Sequence, residues 1–313
     1  MSWGAGSPLL FGGLWDGFLR QAEGVAEKQG GLCGVGVYEC MCPSFIPFLI
    51  GGNMKTIKID LPSELRSMEL HVLSDLHIGD SMSDTLLINK TLERILNTPN
   101  AFCVLGGDLM DTAIASSVGD TYGANLQPME QLKLCVKLFQ PLADAGKILA
   151  ILPGNHENRV YRSDGLDMTG IMAAQLGLSD RYSATTALLF IRLGRLDSTN
   201  HHRRVAYSIY ITHGSGGGRK EGGKINRLVD YSQIVDADVY VCGHTHMPAV
   251  LRTGYYRVNM GNSSVQMVEK VFVNTAASLD YGGYGDSAGF KPASKNNPVI
   301  CLNGDKHEVV VKA

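Results

Sequence analysis

The sequence lacks the features that mark membrane-spanning and polycationic proteins. No run of 18 or more apolar residues occurs among its 313 residues, so a membrane-spanning helix is not expected. Its 28 basic and 30 acidic residues give a formal net charge of −2, which argues against a protein that coats nucleic acid. No internal repeat and no long run of like charges is present. With 44% hydrophobic residues, the chain has enough apolar side chains for a full globular core.

The first 53 residues differ in composition from the rest. Tryptophan is scarce, and both copies, Trp3 and Trp15, lie here with 12 of the 37 glycines and three of the seven cysteines. The segment has no basic start typical of a signal peptide, and its cysteine spacing matches no standard zinc pattern. Met54 then begins a stretch that reads like a fresh protein start. We predict that residues 1–53 are a dispensable extension or a misplaced start, and that a single domain spans 54–313.

Two of the remaining cysteines, Cys103 and Cys242, lie inside short apolar runs. Such positions predict buried free thiols. This cysteine usage indicates a reducing compartment, and we expect a cytoplasmic protein without a membrane partner.

Five short apolar runs, each ending abruptly in small and polar residues, predict buried strands. They cover residues 68–73, 101–105, 147–152, 207–211 and 237–242. Stretches with helical spacing lie between them at 83–96, 129–142 and 170–176. The alternation predicts an α/β layered domain with polar groups at the carboxyl ends of the strands. After Val271, short strands with glycine and proline turns predict an antiparallel closing sheet.

The predicted strand ends carry an unusual set of aspartate, asparagine and histidine side chains. They are Asp75, His77, Asp108, Asn155, His156, His213, His244 and His246. On an extended segment, Asp75 and His77 would point to the same side, and so would His244 and His246. Oxygen and imidazole ligands suit manganese, iron, zinc or nickel, and the set lacks the thiolates of a structural zinc site. There are too many ligands for one ion with an open position, so they indicate two ions that share a carboxylate.

Five motifs in this order resemble the calcineurin-like metallophosphoesterases: Asp-x-His, Gly-Asp-x-x-Asp, Gly-Asn-His-Glu, His-Gly and Gly-His-x-His. The resemblance spans residues 68–250. It implies a layered α-β-β-α sandwich of two mixed β-sheets flanked by helices. The residues that it assigns to the metal ions are Asp75, His77 and His246 for the first, Asp108 as the bridge, and Asn155, His213 and His244 for the second.

The same resemblance makes His156 the catalytic histidine and Asp111 the carboxylate that orients it. Two divalent ions carry a charge of about +4, which two aspartates and a bridging hydroxide reduce to about +1. Such a pair lowers the pKa of bound water and stabilises an in-line attack on phosphorus. His156 would then assist the leaving group. Among the metals, manganese is favoured, with iron, zinc and nickel as alternatives.

The motifs favour a phosphodiester as substrate. Protein phosphatases of this superfamily usually follow Gly-Asp-x-x-Asp with Arg-Gly, whereas this chain has Thr112 and Ala113. We therefore expect a phosphodiesterase acting on nucleotides or nucleic acid. A phosphomonoesterase acting on nucleotide or phosphoprotein and a noncatalytic binding module are the alternatives. The run Gly-Asn-His-Glu-Asn-Arg, with the glycine-rich stretch after His213, looks most like phage or prophage phosphoesterases.

Four further side chains are candidates for binding substrate: Asn155, Arg159, Arg219 and Lys220. The stretch 214–224 contains six glycines and three basic residues, and it can either cradle a phosphate or act as a flexible connection. Arg159 follows His156 by three residues and can contact phosphate or form a structural salt bridge. His71, inside the first run, is expected to be a packed histidine.

Overall fold

Two β-sheets, with helices on their outer faces, make up the fold. The computed structural model describes residues 54–114, 125–195, 203–216, 218 and 220–312. The predicted extension 1–53 and Arg219 lie outside the described residues.

In the described part, the strands are β1 (Lys55–Asp60), β2 (Ser67–Leu73), β3 (Ala101–Gly106), β4 (Ile148–Leu152), β5 (Thr186–Leu193), β6 (Val205–Thr212), β7 (Val239–Cys242), β8 (Ala249–Asn259), β9 (Ser264–Asn274), β10 (Val299–Asn303) and β11 (Val309–Lys312). The helices are α1 (Thr85–Asn97), α2 (Pro128–Asp144), α3 (Asn155–Asp164), α4 (Met168–Gln175), α5 (Glu221–Asp230) and α6 (Gly283–Ser287).

Both sheets mix parallel and antiparallel pairs. The six-stranded sheet has the order β1-β5-β6-β7-β9-β8, and the five-stranded sheet has the order β11-β10-β2-β3-β4. In the second sheet β2, β3 and β4 are parallel, and in the first β6, β7 and β9 are parallel. The carboxyl ends of these parallel strands therefore form an edge on each sheet. The layered fold with two mixed sheets that the resemblance implies is confirmed.

The core lies in three apolar layers. Between the sheets, Val72 and Val104 of one sheet pack in the same cluster as Ile209 and Val241 of the other. Outside the five-stranded sheet, α1, α2 and α4 bury a second cluster that includes Phe139. Outside the six-stranded sheet, the third cluster includes Leu228 of α5, Tyr240 and Phe272. β3 and β4 are apolar on both faces because each strand is buried between two of these layers.

The predicted strands and helices up to about residue 250 are confirmed, but two other predictions are wrong, namely the closing sheet after Val271 and a single loop over 214–224. The chain after Val271 does not form a closing sheet of its own, because β9 pairs with β8 in a long hairpin while β10 and β11 extend the five-stranded sheet beside β2. The glycine-rich stretch is not one loop, since α5 begins at Glu221 and includes Lys224. Cys103 and Cys242 are buried free thiols, as predicted. None of the described helices is long and apolar enough to cross a membrane.

Candidate metal centre

The polar side chains predicted from the strand ends converge where the two sheets meet. Asp75 and His77 follow β2, and Asp108 follows β3. Asn155 and His156 begin α3 after β4, His213 follows β6, and His244 and His246 follow β7. The prediction that Asp75 and His77 lie on an extended segment is wrong, because β2 ends at Leu73. Instead the backbone turns sharply at these positions. Six of the seven described non-glycine residues with positive φ lie at these turns: Asp75, His77, Asp108, Thr112, His244 and His246, with φ of 54°, 47°, 48°, 42°, 66° and 52°. Such left-handed backbone is uncommon for residues other than glycine, and it concentrates at functional sites.

The first group of candidate ligands contains Asp75, His77 and His246. Their ligand atoms all lie within 4.8 Å of one another. His246 Nε2 lies 3.2 Å from Asp75 Oδ1 and 3.3 Å from His77 Nε2. Asp75 and His77 are buried, so both pKa values shift. Burial raises the pKa of Asp75, but the hydrogen bond and charge of His246 outweigh it and lower the pKa to about 2. Burial lowers the pKa of His77.

The second group contains Asp108, His213 and His244, whose ligand atoms again lie within 4.8 Å of one another. His213 Nε2 lies 3.1 Å from Asp108 Oδ2 and 3.2 Å from Asn155 Oδ1. The other ring nitrogen, Nδ1, lies 2.9 Å from Gly106 O and donates to it, which fixes Nε2 as the atom that faces the carboxylate. Burial lowers the pKa of His213, but the charge of Asp108 dominates and raises it to about 10.

His244 and His246 therefore separate into different groups, although sequence alternation put them on the same side. His244 instead donates its backbone N–H to both carboxylate oxygens of Asp75, at 3.0 and 3.1 Å. These hydrogen bonds connect the loop after β7 to the loop after β2. Each group of candidate ligands therefore contains residues that follow strands of both sheets. Asp108 falls in the second group alone, and its carboxylate also accepts a hydrogen bond at 2.8 Å from the backbone N–H of His156, one of the free N–H groups in the first turn of α3.

His156 and Asp111 form a hydrogen-bonded pair beside the two groups. His156 Nδ1 lies 2.8 Å from the backbone oxygen of Asp111 and 3.0 Å from its carboxylate Oδ1. The opposite ring nitrogen, Nε2, lies 4.0 Å from Asp108 Oδ2. Burial lowers the pKa of His156, but the hydrogen bond with Asp111 and the charge of Asp108 raise it overall. About a fifth of the His156 side chain is exposed, so it can reach a molecule in solvent.

Glu157 is a structural element of the centre to which the sequence reasoning assigned no role. Its buried carboxylate accepts four backbone hydrogen bonds at 2.7 to 3.1 Å. The donors are the N–H groups of Asp108, Leu109, Met110 and Gly154. One side chain thus holds the loop after β3 against the start of α3. The signal was the fourth residue of Gly-Asn-His-Glu, which stands at the third position of a helix, where glutamate often caps.

Two motif glycines are required by close approach to the carboxylates. A Cβ at Gly154 would collide with the carboxylate and backbone nitrogen of Asp108. A Cβ at Gly243 would lie 2.7 Å from Ser74 Oγ and 2.8 Å from Asp75 Oδ2. Each aspartate therefore packs directly on a glycine of another motif, which explains why Gly-Asn-His-Glu and Gly-His-x-His begin as they do.

The residues predicted to bind substrate are less closely grouped than the candidate metal ligands. Arg159 is partly exposed on α3, and its charge opposes the rise in the pKa of His156. Lys220 is exposed just before α5. Lys224 donates to Thr245 O at 2.8 Å, so it braces the turn between His244 and His246.

A known protein family also matches this chain over a long segment, beyond the individual motifs. A sequence model of the calcineurin-like phosphoesterase family matches residues 68–248, which is more than half of the chain. The chain belongs to this family. No curated protein sequence matches it significantly.

Solved structures of similar proteins are distant in sequence. A predicted phosphoesterase from Streptococcus pneumoniae is 13% identical, covers 79% of this chain and 90% of its own, and has a TM-score of 0.33. A zinc complex of Vps29 from Entamoeba histolytica is 15% identical, with coverage of 78% and 90% and a TM-score of 0.34. GAP50, described as the anchor in the inner membrane complex of Plasmodium, is 11% identical, with coverage of 79% and 84% and a TM-score of 0.39.

The donor chemistry of this calcineurin-like phosphoesterase fits divalent metal ions. Each group combines one buried carboxylate with two imidazoles, and Asn155 adds a neutral oxygen to the second. Buried carboxylates need a compensating charge, which a divalent cation supplies. Mixed oxygen and nitrogen donors are typical of manganese, iron, zinc and nickel sites.

Proposed function

We propose that the protein is a dimetal phosphoester hydrolase that cleaves phosphodiesters of nucleotides or nucleic acid. One observation carries the proposal: two groups, each with a buried aspartate, a buried histidine and a partly exposed histidine, lie beside a third group in which His156 and Asp111 meet His77. Asp75, His77 and His246 would hold one ion. Asp108, Asn155, His213 and His244 would hold the other, with Asp108 as the bridge.

Two divalent ions at this centre would activate water and stabilise negative charge on the phosphoryl oxygens. The chain positions the reactants around them. Asp75 and Asp108 are held in place by backbone N–H groups, and His213 is oriented by Gly106. These contacts fix the donor atoms before substrate binds, which is the condition for electrostatic stabilisation of a transition state.

His156 would donate a proton to the departing oxygen. Its Nδ1–H is held by Asp111, so Nε2 is the atom left to face the substrate. The hydrogen bond with Asp111 and the charge of Asp108 raise the pKa of His156, which favours the protonated ring that a proton donor needs. Asp111 thus acts as a positioning residue, since it touches the histidine rather than the reacting phosphorus.

Thr112 supports a diester rather than a monoester. It stands where protein phosphatases of this superfamily have the arginine that binds a dianionic phosphate. Here the side chain is fully buried, and its hydroxyl donates to His156 O at 2.7 Å while its N–H donates to Gln131 Oε1 at 2.8 Å. Position 112 therefore offers no cation to a second negative charge. We propose manganese as the ion, with iron, zinc and nickel as alternatives that the same donors suit.

Hydrolysis of bis-p-nitrophenyl phosphate and of p-nitrophenyl phosphate tests the proposal. With manganese, the diester should be cleaved faster, and chelation should abolish the reaction. A faster monoester reaction would favour the phosphomonoesterase alternative, and turnover without metal would contradict the mechanism. Single- and double-stranded DNA, RNA, cyclic nucleotides and dinucleotides then identify the substrate. His307→Ala, which alters a histidine paired with Asp238 and outside both groups, is the matched control.

A further inference from the structure

A second cavity lies outside the metal centre, against the outer face of the five-stranded sheet. It has a volume of about 490 Å³ and is bounded by β2, α1, the segment 295–299 and the end of β11. None of the side chains of the two Asp/His groups lines it. Its size is in the range of small-molecule sites.

The lining of this cavity combines an apolar floor with a cationic rim. Leu73, Leu92 and Val299 contribute to the floor, and Arg94 and Lys312 to the rim. No carboxylate is among the described residues that line it.

The rim carries an excess of positive charge. Glu69 lies 2.7 Å from Lys312 Nζ and 3.5 Å from Arg94 Nη2, so one carboxylate serves two cations. More than half of each cation's side chain is exposed. Both are therefore available to a negatively charged group that enters the cavity.

His71 gives the cavity a buried polar atom that needs a partner. Its ring is about 95% buried and lines the cavity, and Nε2 has no hydrogen-bond partner among the described residues. Glu69 Oε2 is 3.6 Å away, beyond hydrogen-bonding distance. Buried ring nitrogens in native proteins are nearly always paired. His71 is therefore buried, as expected for a packed histidine, but its Nε2 atom has no hydrogen-bond partner among the described residues.

We propose that this cavity binds a small organic anion, a carboxylate or phosphate carried on an apolar group. The acidic group would accept hydrogen bonds from His71 Nε2, which has no partner among the described residues, and from Arg94 and Lys312, which share Glu69. The apolar portion would cover Leu73 and Leu92.

The site adjoins the metal centre without being part of it. Ser74 and Ser278 line the cavity, and both bond to Asp75: Ser74 through its hydroxyl to Oδ2, and Ser278 through its N–H to the backbone oxygen at 3.0 Å. Binding here does not depend on the proposed hydrolysis, so the two can fail separately.

Histidine-selective ¹⁵N NMR of the full chain tests the proposal, with His71→Gln assigning the His71 resonance. The probes are phenylphosphonate and benzoate, with uncharged benzyl alcohol for comparison, each titrated with and without zinc. We expect a saturable shift of His71 with at least one anion, unchanged by zinc, and a weaker response to benzyl alcohol. The tighter of the two anions identifies the acidic group that the site prefers.

Charge removal at the rim is the second arm. Replacing Arg94 and Lys312 together by glutamine should raise the Kd of the anion about tenfold, since two charge-assisted hydrogen bonds are lost. Lys90→Gln, exposed on the same helix but outside the cavity, should leave the Kd unchanged. No shift of His71 with either anion, equal affinity for benzyl alcohol, or an unchanged Kd in a folded double variant would overturn the proposal.

Discussion

At the scale of single residues, Glu157 has a larger structural role than any predicted ligand. It supplies acceptors to four backbone N–H groups from two loops that both carry candidate ligands. Each oxygen accepts two of these bonds, so the site is matched to a carboxylate and not to an amide. Unpaired N–H groups in this buried position would be costly.

Glu157→Gln should therefore destabilise the fold by about 2–4 kcal/mol, because the amide nitrogen would face two donors. Urea unfolding of the metal-free protein measures this free energy. Glu93→Gln, on the exposed face of α1, should change it by less than about 0.5 kcal/mol. Equal stability of the Glu157 and Glu93 variants would show that the four hydrogen bonds do not hold the loops.

Asp111→Asn should alter the pH dependence of the reaction while leaving metal content intact. Burial lowers the pKa of His156, and Asp111 is the first of the groups that raise it. A proton donor loses activity as pH rises through its pKa, so removing the negative charge should move the alkaline limb of the rate profile to lower pH. A rate loss of about 10²-fold is expected from the poorer proton donor. An unshifted alkaline limb would exclude His156 as the donor that Asp111 controls.

At the scale of elements, five of the described strands were predicted, whereas β1, β5 and the turns after the predicted strands were not. β2, β3, β4, β6 and β7 are apolar runs that the sequence marks clearly, and their order predicted which side chains converge. α3 escaped prediction because its residues are mostly polar and only Glu157 and Val160 are buried. The distal half of the β8–β9 hairpin is exposed on both strands, so it lacks the alternation that marks a half-buried strand. One feature of the sequence is consistent with the left-handed turns: aspartate and histidine adopt positive φ more readily than most residues.

The junction of β4 and α3 depends on Gly154. Gly154→Ala would push a methyl group into Asp108, which should weaken manganese binding and destabilise the fold by about 1–3 kcal/mol. Metal titration and thermal unfolding measure the two effects. Gly223→Ala in α5 is the matched control, because nothing lies within 4 Å of the added methyl group, and it should be neutral or stabilising. Unchanged metal affinity in Gly154→Ala would contradict the close approach.

At the scale of the whole molecule, the described strands and apolar clusters are built from residue 54 onward. The formal net charge also changes at residue 54: residues 1–53 contain two basic and four acidic residues, whereas 54–313 contain 26 of each sign. The positive charge that attracts a phosphate to the centre would then come from bound cations, because the charged side chains of 54–313 sum to zero. We propose that residues 54–313 form a single domain that folds and acts without residues 1–53.

A chain that begins at Met54 should be soluble, unfold cooperatively and hydrolyse the diester at the rate of the full chain. Expression of both chains, with thermal unfolding and kinetics measured side by side, checks this. An insoluble or inactive product would show that residues 1–53 contribute to folding or catalysis.

The most direct test of the central claim is anomalous scattering at the manganese edge from crystals grown with manganese. A dimetal centre predicts two peaks per chain about 3.5–4 Å apart. One should be bound by Asp75, His77 and His246, and the other by Asn155, His213 and His244, with Asp108 contacting both. A single peak, or peaks away from these side chains, would contradict a dimetal centre.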